Sequence, residues 1–367
     1  MLNWLTCVWL LIGLATLVSA SYHEGIVDYS DGLYTFKRQL VGVVIGLVGF
    51  NFITHKPLRQ VFKITPFLLC TLLVMIILTS FIGTEVNGAR RWLPIGGFSV
   101  QPSELIKPFL VIQSAYLFAK WKQLETNFKV IWLAIFGSVL VGIILQPNLS
   151  TTALCGMSIW LIALAADLPL VQLLSVAFAG VSAALLSISI NAYQLERIIS
   201  FLNPWQDAKG HGYQLIQSLL AVASGGWAGS GFGLSQQKLS YLPIRTTDFI
   251  FSVYAEEFGF IGCILLLILI ISYSAIALRV ALKSRNTIQR LIAIGVMVFL
   301  VGQSFINIGV ATGSLPTTGL PLPFFSYGVN SIIASLILAG LLIRVARESG
   351  RAQIIPYNRQ TNLDQQS

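Results

Sequence analysis

The sequence predicts an all-α, polytopic membrane protein, on three observations. Hydrophobic residues make up 55% of the 367 and charged residues only 10%, against about 25% charged in an ordinary soluble domain; a soluble enzyme is excluded. Apolar runs long enough to cross a bilayer recur along the chain. Basic residues gather in the short segments between alternate runs, as they do in membrane proteins of fixed orientation.

Ten helices are expected, near 2–20, 38–54, 64–82, 104–119, 130–146, 150–166, 170–190, 250–278, 290–312 and 329–345. Ser19-Ala20-Ser21 resembles a signal-peptide cleavage site, but no basic residue precedes the first run, which therefore reads as a span. Residues 1–349 form one membrane domain, with a long connection at 191–249 between helices 7 and 8. Residues 350–367 read as a polar, disordered tail. Cys7, Cys70, Cys155 and Cys263 fall inside apolar runs with no Cys-x-x-Cys or Cys/His cluster, so neither a zinc site nor a disulfide framework is indicated.

Segments 55–63, 119–129, 279–290 and 344–367 carry 14 of the 23 Lys and Arg. Their face of the membrane holds four acids, and the opposite face holds nine bases and ten acids. The positive-inside rule then places both termini in the cytoplasm. The net charge of +9 is accordingly a topology signal and not a nucleic-acid footprint. Segments 83–103, 191–249 and 313–328 fall outside.

The outer segments hold the informative residues. Arg90 and Arg91 precede Gln101-Pro102-Ser103-Glu104, where Pro102 and Ser103 suit a helix start and Glu104 falls in the first turn. Lys107 follows three residues on, on the same face; a capping carboxylate with its ion-pair partner explains the spacing as well as a cavity site does. An amphipathic stretch starts at Tyr213 and includes Gln217. The glycines at 225–233 lack the Gly-Lys-Ser/Thr of a nucleotide loop, and by themselves read as a flexible surface loop. Asp248 lies where water gives way to hydrocarbon, so desolvation would raise its pKa toward that of a general base, with nearby Arg245 opposing. A helix cap by Thr247 or Asp248 is the plainer reading. Segment 313–328, with three Pro and three Gly, reads as a cavity wall or a structural turn, its Ser326 and Tyr327 hydroxyls available to a ligand.

In this order the strings resemble the SEDS family (shape, elongation, division and sporulation), the FtsW/RodA-type peptidoglycan glycosyltransferases. They are Lys37-Arg38-Gln39, Gly88-Ala89-Arg90-Arg91-Trp92, Gln101-Pro102-Ser103-Glu104 with Lys107, Gln146-Pro147, Gln217-Ser218, Ser224-Gly225-Gly226-Trp227, Gln237-Lys238, Thr247-Asp248-Phe249-Ile250-Phe251, Glu256-Glu257-Phe258-Gly259 and Pro323-Phe324-Phe325-Ser326-Tyr327-Gly328. The likeness spans roughly residues 5–346. It departs from the family pattern at Asn148, which stands where an Asp is usual, at Ile244 and Thr246, which replace a Glu and a His, and at Val329, which replaces a Gly.

The resemblance implies a plasma-membrane polymerase that joins lipid II units onto an undecaprenyl-pyrophosphate-linked glycan. It implies an essential Asp248, with Glu104 and Lys107 in the central cavity and Arg38 carried over by position. In the chemistry so implied, Asp248 would take the proton of the attacking sugar hydroxyl, and Lys107, Arg38, Arg90 or Arg91, with a divalent cation such as Mg or Mn as a further candidate, would stabilise the leaving pyrophosphate. A class B penicillin-binding protein and other division or elongation proteins are the implied partners. Phe36-Lys37-Arg38-Gln39 resembles the division (FtsW) branch and the short termini the elongation branch, and the expectation is septal wall synthesis in cell division, with elongation as the alternative. Two other readings compete. A lipid II flippase needs sites reachable from both leaflets, and a scaffold that activates a transpeptidase would tolerate Asp248→Asn.

Overall fold

A computed structural model describes residues 1–86, 89–210, 212–239 and 241–351. Gly88 and nearly all of the expected polar tail lie outside the described residues. The chain opens with α1 (Leu2–Tyr29), α2 (Tyr34–His55) and α3 (Leu58–Ile82). A small antiparallel sheet follows, of β1 (Thr84–Val86), β2 (Ala89–Ile95) and β3 (Phe98–Val100). Helices α4 (Pro102–Leu105), α5 (Lys107–Ala119), α6 (Thr126–Ile144), α7 (Leu149–Ala165) and α8 (Leu170–Ile190) come next. The long connection holds α9 (Ala192–Leu202) and α10 (Tyr213–Ser224). The chain then runs through α11 (Ile250–Lys283), α12 (Thr287–Met297), α13 (Gln303–Ala311) and α14 (Val329–Arg351).

Among the described residues eight helical runs are long and apolar enough to cross a membrane, with α12 and α13 forming one continuous run, Thr287–Ala311. The other two expected spans are shorter. Helix α7 has 17 residues, and the span expected at 104–119 is broken at Ile106 into α4 and the 13-residue α5. Most α5 side chains are buried, so this short helix is enclosed by its neighbours rather than by lipid.

The sheet is an addition that helical periodicity did not foretell. Leu93 pairs with Val100 and Ile95 with Phe98, leaving Gly96-Gly97 as a two-residue turn. Both glycines have positive φ, 57° and 79°, as a tight hairpin that follows the strand twist requires.

Polar contacts separate two ends of the bundle. At one, Arg344 and Arg347 donate to the Thr54 carbonyl, Glu348 accepts from the Leu58 N–H and from Gln289, and Ser284 meets Ser349. These are the basic segments. At the other end the hairpin, α4, α9 and segment 313–328 converge.

The glycine-rich loop is built, not flexible. Gly229 (φ 80°) lies against a kink in α11 at Gly259 (φ 63°), and a Cβ on Gly259 would sit 2.3 Å from the Gly229 nitrogen. Ser230 and Gly231 N–H groups donate to the carbonyls of Glu256 and Glu257 that the kink frees. Below them Lys238 pairs with Glu257 at 2.7 Å, and Glu256 accepts from the Ser235 hydroxyl at 2.5 Å and the Gln236 N–H at 2.8 Å. The loop ends locked to the helix that follows Asp248.

Candidate active site

Asp248 sits in the wall of a cavity of about 600 Å³ at the end of the bundle opposite the basic segments. That volume is within the usual range for a ligand site. Three successive carbonyls hold its backbone. The Tyr327 N–H donates to Thr246 at 2.8 Å, the Ser326 hydroxyl to Thr247 at 2.5 Å, and the Asn307 amide to Asp248 itself at 2.9 Å. The Ser326 oxygen also accepts from the Leu322 N–H, and Gln39 grips the same segment through the Ser326 carbonyl and the Gly328 N–H. Helix α11 begins after Phe249 with no side-chain cap. The cap reading of Thr247 and Asp248 is thereby overturned, and the Asp248 carboxylate is available to the cavity.

Guanidinium groups surround that carboxylate. Arg91 lines the same cavity from β2, its own fork held by the Gln146 and Pro147 carbonyls. Arg38 projects from α2 toward the cavity, donates to the Gly97 carbonyl at 2.8 Å and the Tyr34 hydroxyl at 3.0 Å, and lies over the Phe98 ring. Burial pushes the Asp248 carboxyl above the ordinary aspartate range, while Arg197, then Arg91, then a hydrogen bond from Thr247 pull it down. Arg245 is not among these; it faces Glu24 at 3.7 Å, which corrects the opposing role expected for it. Tyr327 also lines the cavity, and burial raises its phenol.

Glu104 lines the cavity from α4, and its Oε1 accepts from Lys107 Nζ at 2.6 Å. Lys107 is 2% exposed and does not line the cavity; its ammonium also donates to Gln303 Oε1 at 3.2 Å and lies over the Phe299 ring. A wide π turn at Val298–Gly302 carries Phe299 and leads into Gln303. Such turns alter which side chains a helix presents and cluster at functional sites. The ammonium neutralises and orients Glu104, which leaves the arginines as the cations facing the cavity.

The structure gathers Asp248, Glu104, Arg38 and Arg91 around one space and leaves others outside. Arg90 faces away on the exposed side of the hairpin, 3.4 Å from Glu85. Gln217, on α10, does not line the cavity, and the Ser326 hydroxyl is spent on the backbone. Asn148, given no catalytic charge, caps α7 by accepting from the Thr151 N–H at 3.4 Å and lines the cavity. Arg197 was missed; the available signal was a lone arginine in a stretch of helical period just after the seventh apolar run. Among the described residues no three carboxylate, His or Cys groups stand close enough to cage a metal ion. Asp248 and a Glu104 already paired with Lys107, set among guanidinium groups, are a poor donor set for a dication, so the residues present do not fit a protein-held divalent cation.

A family model described as cell cycle protein, of the FtsW/RodA/SpoVE group, matches residues 1–351. The chain belongs to that family of multi-pass membrane proteins. A probable peptidoglycan glycosyltransferase FtsW of Synechocystis is 54% identical over 354 residues, 96% of this chain and 90% of the relative. Stage V sporulation protein E of Bacillus subtilis is 36% identical, over 94% and 96% of the two chains. Among solved structures, a chain of a peptidoglycan synthase complex that coordinates polymerization and crosslinking aligns with a TM-score of 0.76 at 30% identity, covering 95% and 97%. The rod shape determining protein RodA of Thermus thermophilus aligns with a TM-score of 0.68 at 28% identity, covering 95% and 96%.

Proposed function

We propose that this protein is an inverting peptidoglycan glycosyltransferase that polymerises lipid II at the outer face of the bacterial plasma membrane, with both termini in the cytoplasm. The observation that carries the reading is the Asp248 carboxylate, fixed by three backbone clamps and turned to a cavity rimmed by guanidinium groups. As the acceptor sugar hydroxyl attacks the donor's anomeric carbon, its proton passes to Asp248. The new C–O bond forms as the bond to pyrophosphate breaks. The departing oxygens gain negative charge beside Arg38 and Arg91, whose positions are fixed before the reaction begins. Attack opposite the leaving group inverts an α-linked donor to a β-linkage. The polyprenyl tail stays in the bilayer while the sugars occupy the cavity.

Relatives that carry the FtsW name support a septal role in cell division. The likeness to a complex that couples polymerization to crosslinking supports a class B penicillin-binding protein as partner. The test is polymerisation of labelled lipid II by purified protein with that partner present. Asp248→Asn is expected to abolish glycan chains, by roughly 10²–10⁴-fold for a lost general base. Chains that persist in the variant remove the base assignment.

A further inference from the structure

We propose that Arg197 is a further substrate-binding residue of this reaction, gripping the pyrophosphate of the lipid-linked donor beside Asp248. The inference rests on the polymerase reading and deepens it. Gln194, Arg197 and Ile198 all line the cavity, and they share one face of α9 at i, i+3 and i+4. Leu195, Ile199 and Leu202, at i, i+4 and i+7, form the other face and are exposed. Helix α9 thus lays its apolar side outward and turns a cation into the cavity.

Geometry brings that cation to the reacting carboxylate. A methyl group on Gly319 would touch Asp248 Oδ2 at 3.5 Å and the Arg197 Nη1 at 3.8 Å, which caps the separation of the two at about 7 Å. Arg197 Nη1 also donates to the Thr317 carbonyl at 3.3 Å, so the guanidinium is steered by segment 313–328. A planar guanidinium binds phosphate oxygens in pairs, which an ammonium cannot do. Arg38 and Arg91 approach from the hairpin side, with carbonyl partners at Gly97, Gln146 and Pro147. Arg197 enters from a separate wall, so a pyrophosphate between them is held from two directions.

Its charge also acts on Asp248. Arg197 is the foremost of the charges that offset burial there, ahead of Arg91, while Arg38, Glu104 and Tyr327 line the same cavity. Without Arg197 the carboxyl holds its proton to higher pH and is a base over a narrower range.

The test uses the full-length protein with its transpeptidase partner in lipid nanodiscs, labelled lipid II as substrate and undecaprenyl pyrophosphate as inhibitor, across a pH series. Arg197→Ala and Arg197→Gln are expected to weaken inhibition by undecaprenyl pyrophosphate about 10-fold or more. They are also expected to move the acid limb of kcat/KM upward, lowering the rate on that limb about 10-fold. Arg197→Lys keeps the limb near its original pH but not the inhibitor affinity. Variants that fold, as judged by unchanged thermal unfolding, and that keep both inhibitor affinity and acid limb overturn the proposal. A wild-type protein that binds undecaprenyl pyrophosphate through Arg197 yet forms no glycan would sink the polymerase reading and leave Arg197 as a pyrophosphate ligand of some other activity.

Discussion

The Asn307 side chain donates to the main-chain carbonyl of Asp248 and to that of Leu320, each at 2.9 Å. One amide therefore ties the segment that carries Asp248 to the segment that walls the cavity. Asn307→Leu removes both bonds and nearly preserves volume. Because a misplacement of about 1 Å can cost 10²-fold in rate, kcat is expected to fall by roughly that factor. Lipid II turnover against circular-dichroism melting separates this from unfolding: kcat drops far more than the melting temperature accounts for.

Asp248 gives a pH dependence whose sign follows from its surroundings. Burial raises its carboxyl above the usual value of 3.8, and a base must be ionised, so kcat/KM should fall with acidification at a higher pH than an ordinary aspartate would give. Stability runs the other way. A carboxyl whose folded pKa is raised favours the folded state when protonated, and that contribution is lost as pH rises from 3.8 through the folded value. At neutral pH, Asp248→Asn is expected to raise the melting temperature while abolishing activity. A lower melting temperature in the variant would contradict this.

The Glu104–Lys107 pair is buried on both sides, at 5% and 2% side-chain exposure. Lys107→Met strands a carboxylate in the interior, which typically costs about 3–5 kcal/mol. The double variant Glu104→Gln/Lys107→Met should recover most of that stability without activity. A double-mutant cycle on thermal unfolding measures the coupling; additive effects would mean that the two groups do not meet.

Gly259 and Gly233 both have positive φ, 63° and 81°, but differ in their surroundings. At Gly259→Ala the new methyl meets backbone at 2.3 Å, whereas at Gly233→Ala nothing lies within 4 Å. The second change should cost only the left-handed strain, about 1–2 kcal/mol. The first should abolish expression of folded protein. Membrane-fraction yield and fluorescence-detected size exclusion distinguish the two.

The helical architecture was legible because a bilayer demands long apolar runs and leaves little else to read. Asp248, Glu104, Arg38 and Arg91 were legible because charged residues at span ends are scarce and their order matched a family. What escaped notice depends on three-dimensional partners. The break at Ile106 has a local cause in Pro108, which has no N–H for the Glu104 carbonyl, but the contacts of Lys107 with Gln303 and Phe299, beside the π turn at 298–302, join residues nearly 200 positions apart. Ser326 looked like a ligand-facing hydroxyl, but its partners are two main-chain groups that pattern alone does not bring together. Asn148 shows the limit from the other side: an amide caps a helix as well as a carboxylate does, so losing the family's usual charge leaves the local fold in place. Arg90 and Arg91, adjacent in sequence, part company because successive residues of a strand face opposite ways.

Helix α8 has a single buried residue, Leu173, and it carries α9 and Arg197 at its far end. Fatty-acyl chains, not polypeptide, must therefore press on most of its flank. The choice of solubilising agent then becomes a chemical variable: a thin micelle that lets this arm drift would withdraw the Arg197 guanidinium from the neighbourhood of Asp248, whereas native-like lipid would keep it seated. Rates measured in short-chain detergent should recover on transfer to bilayer discs.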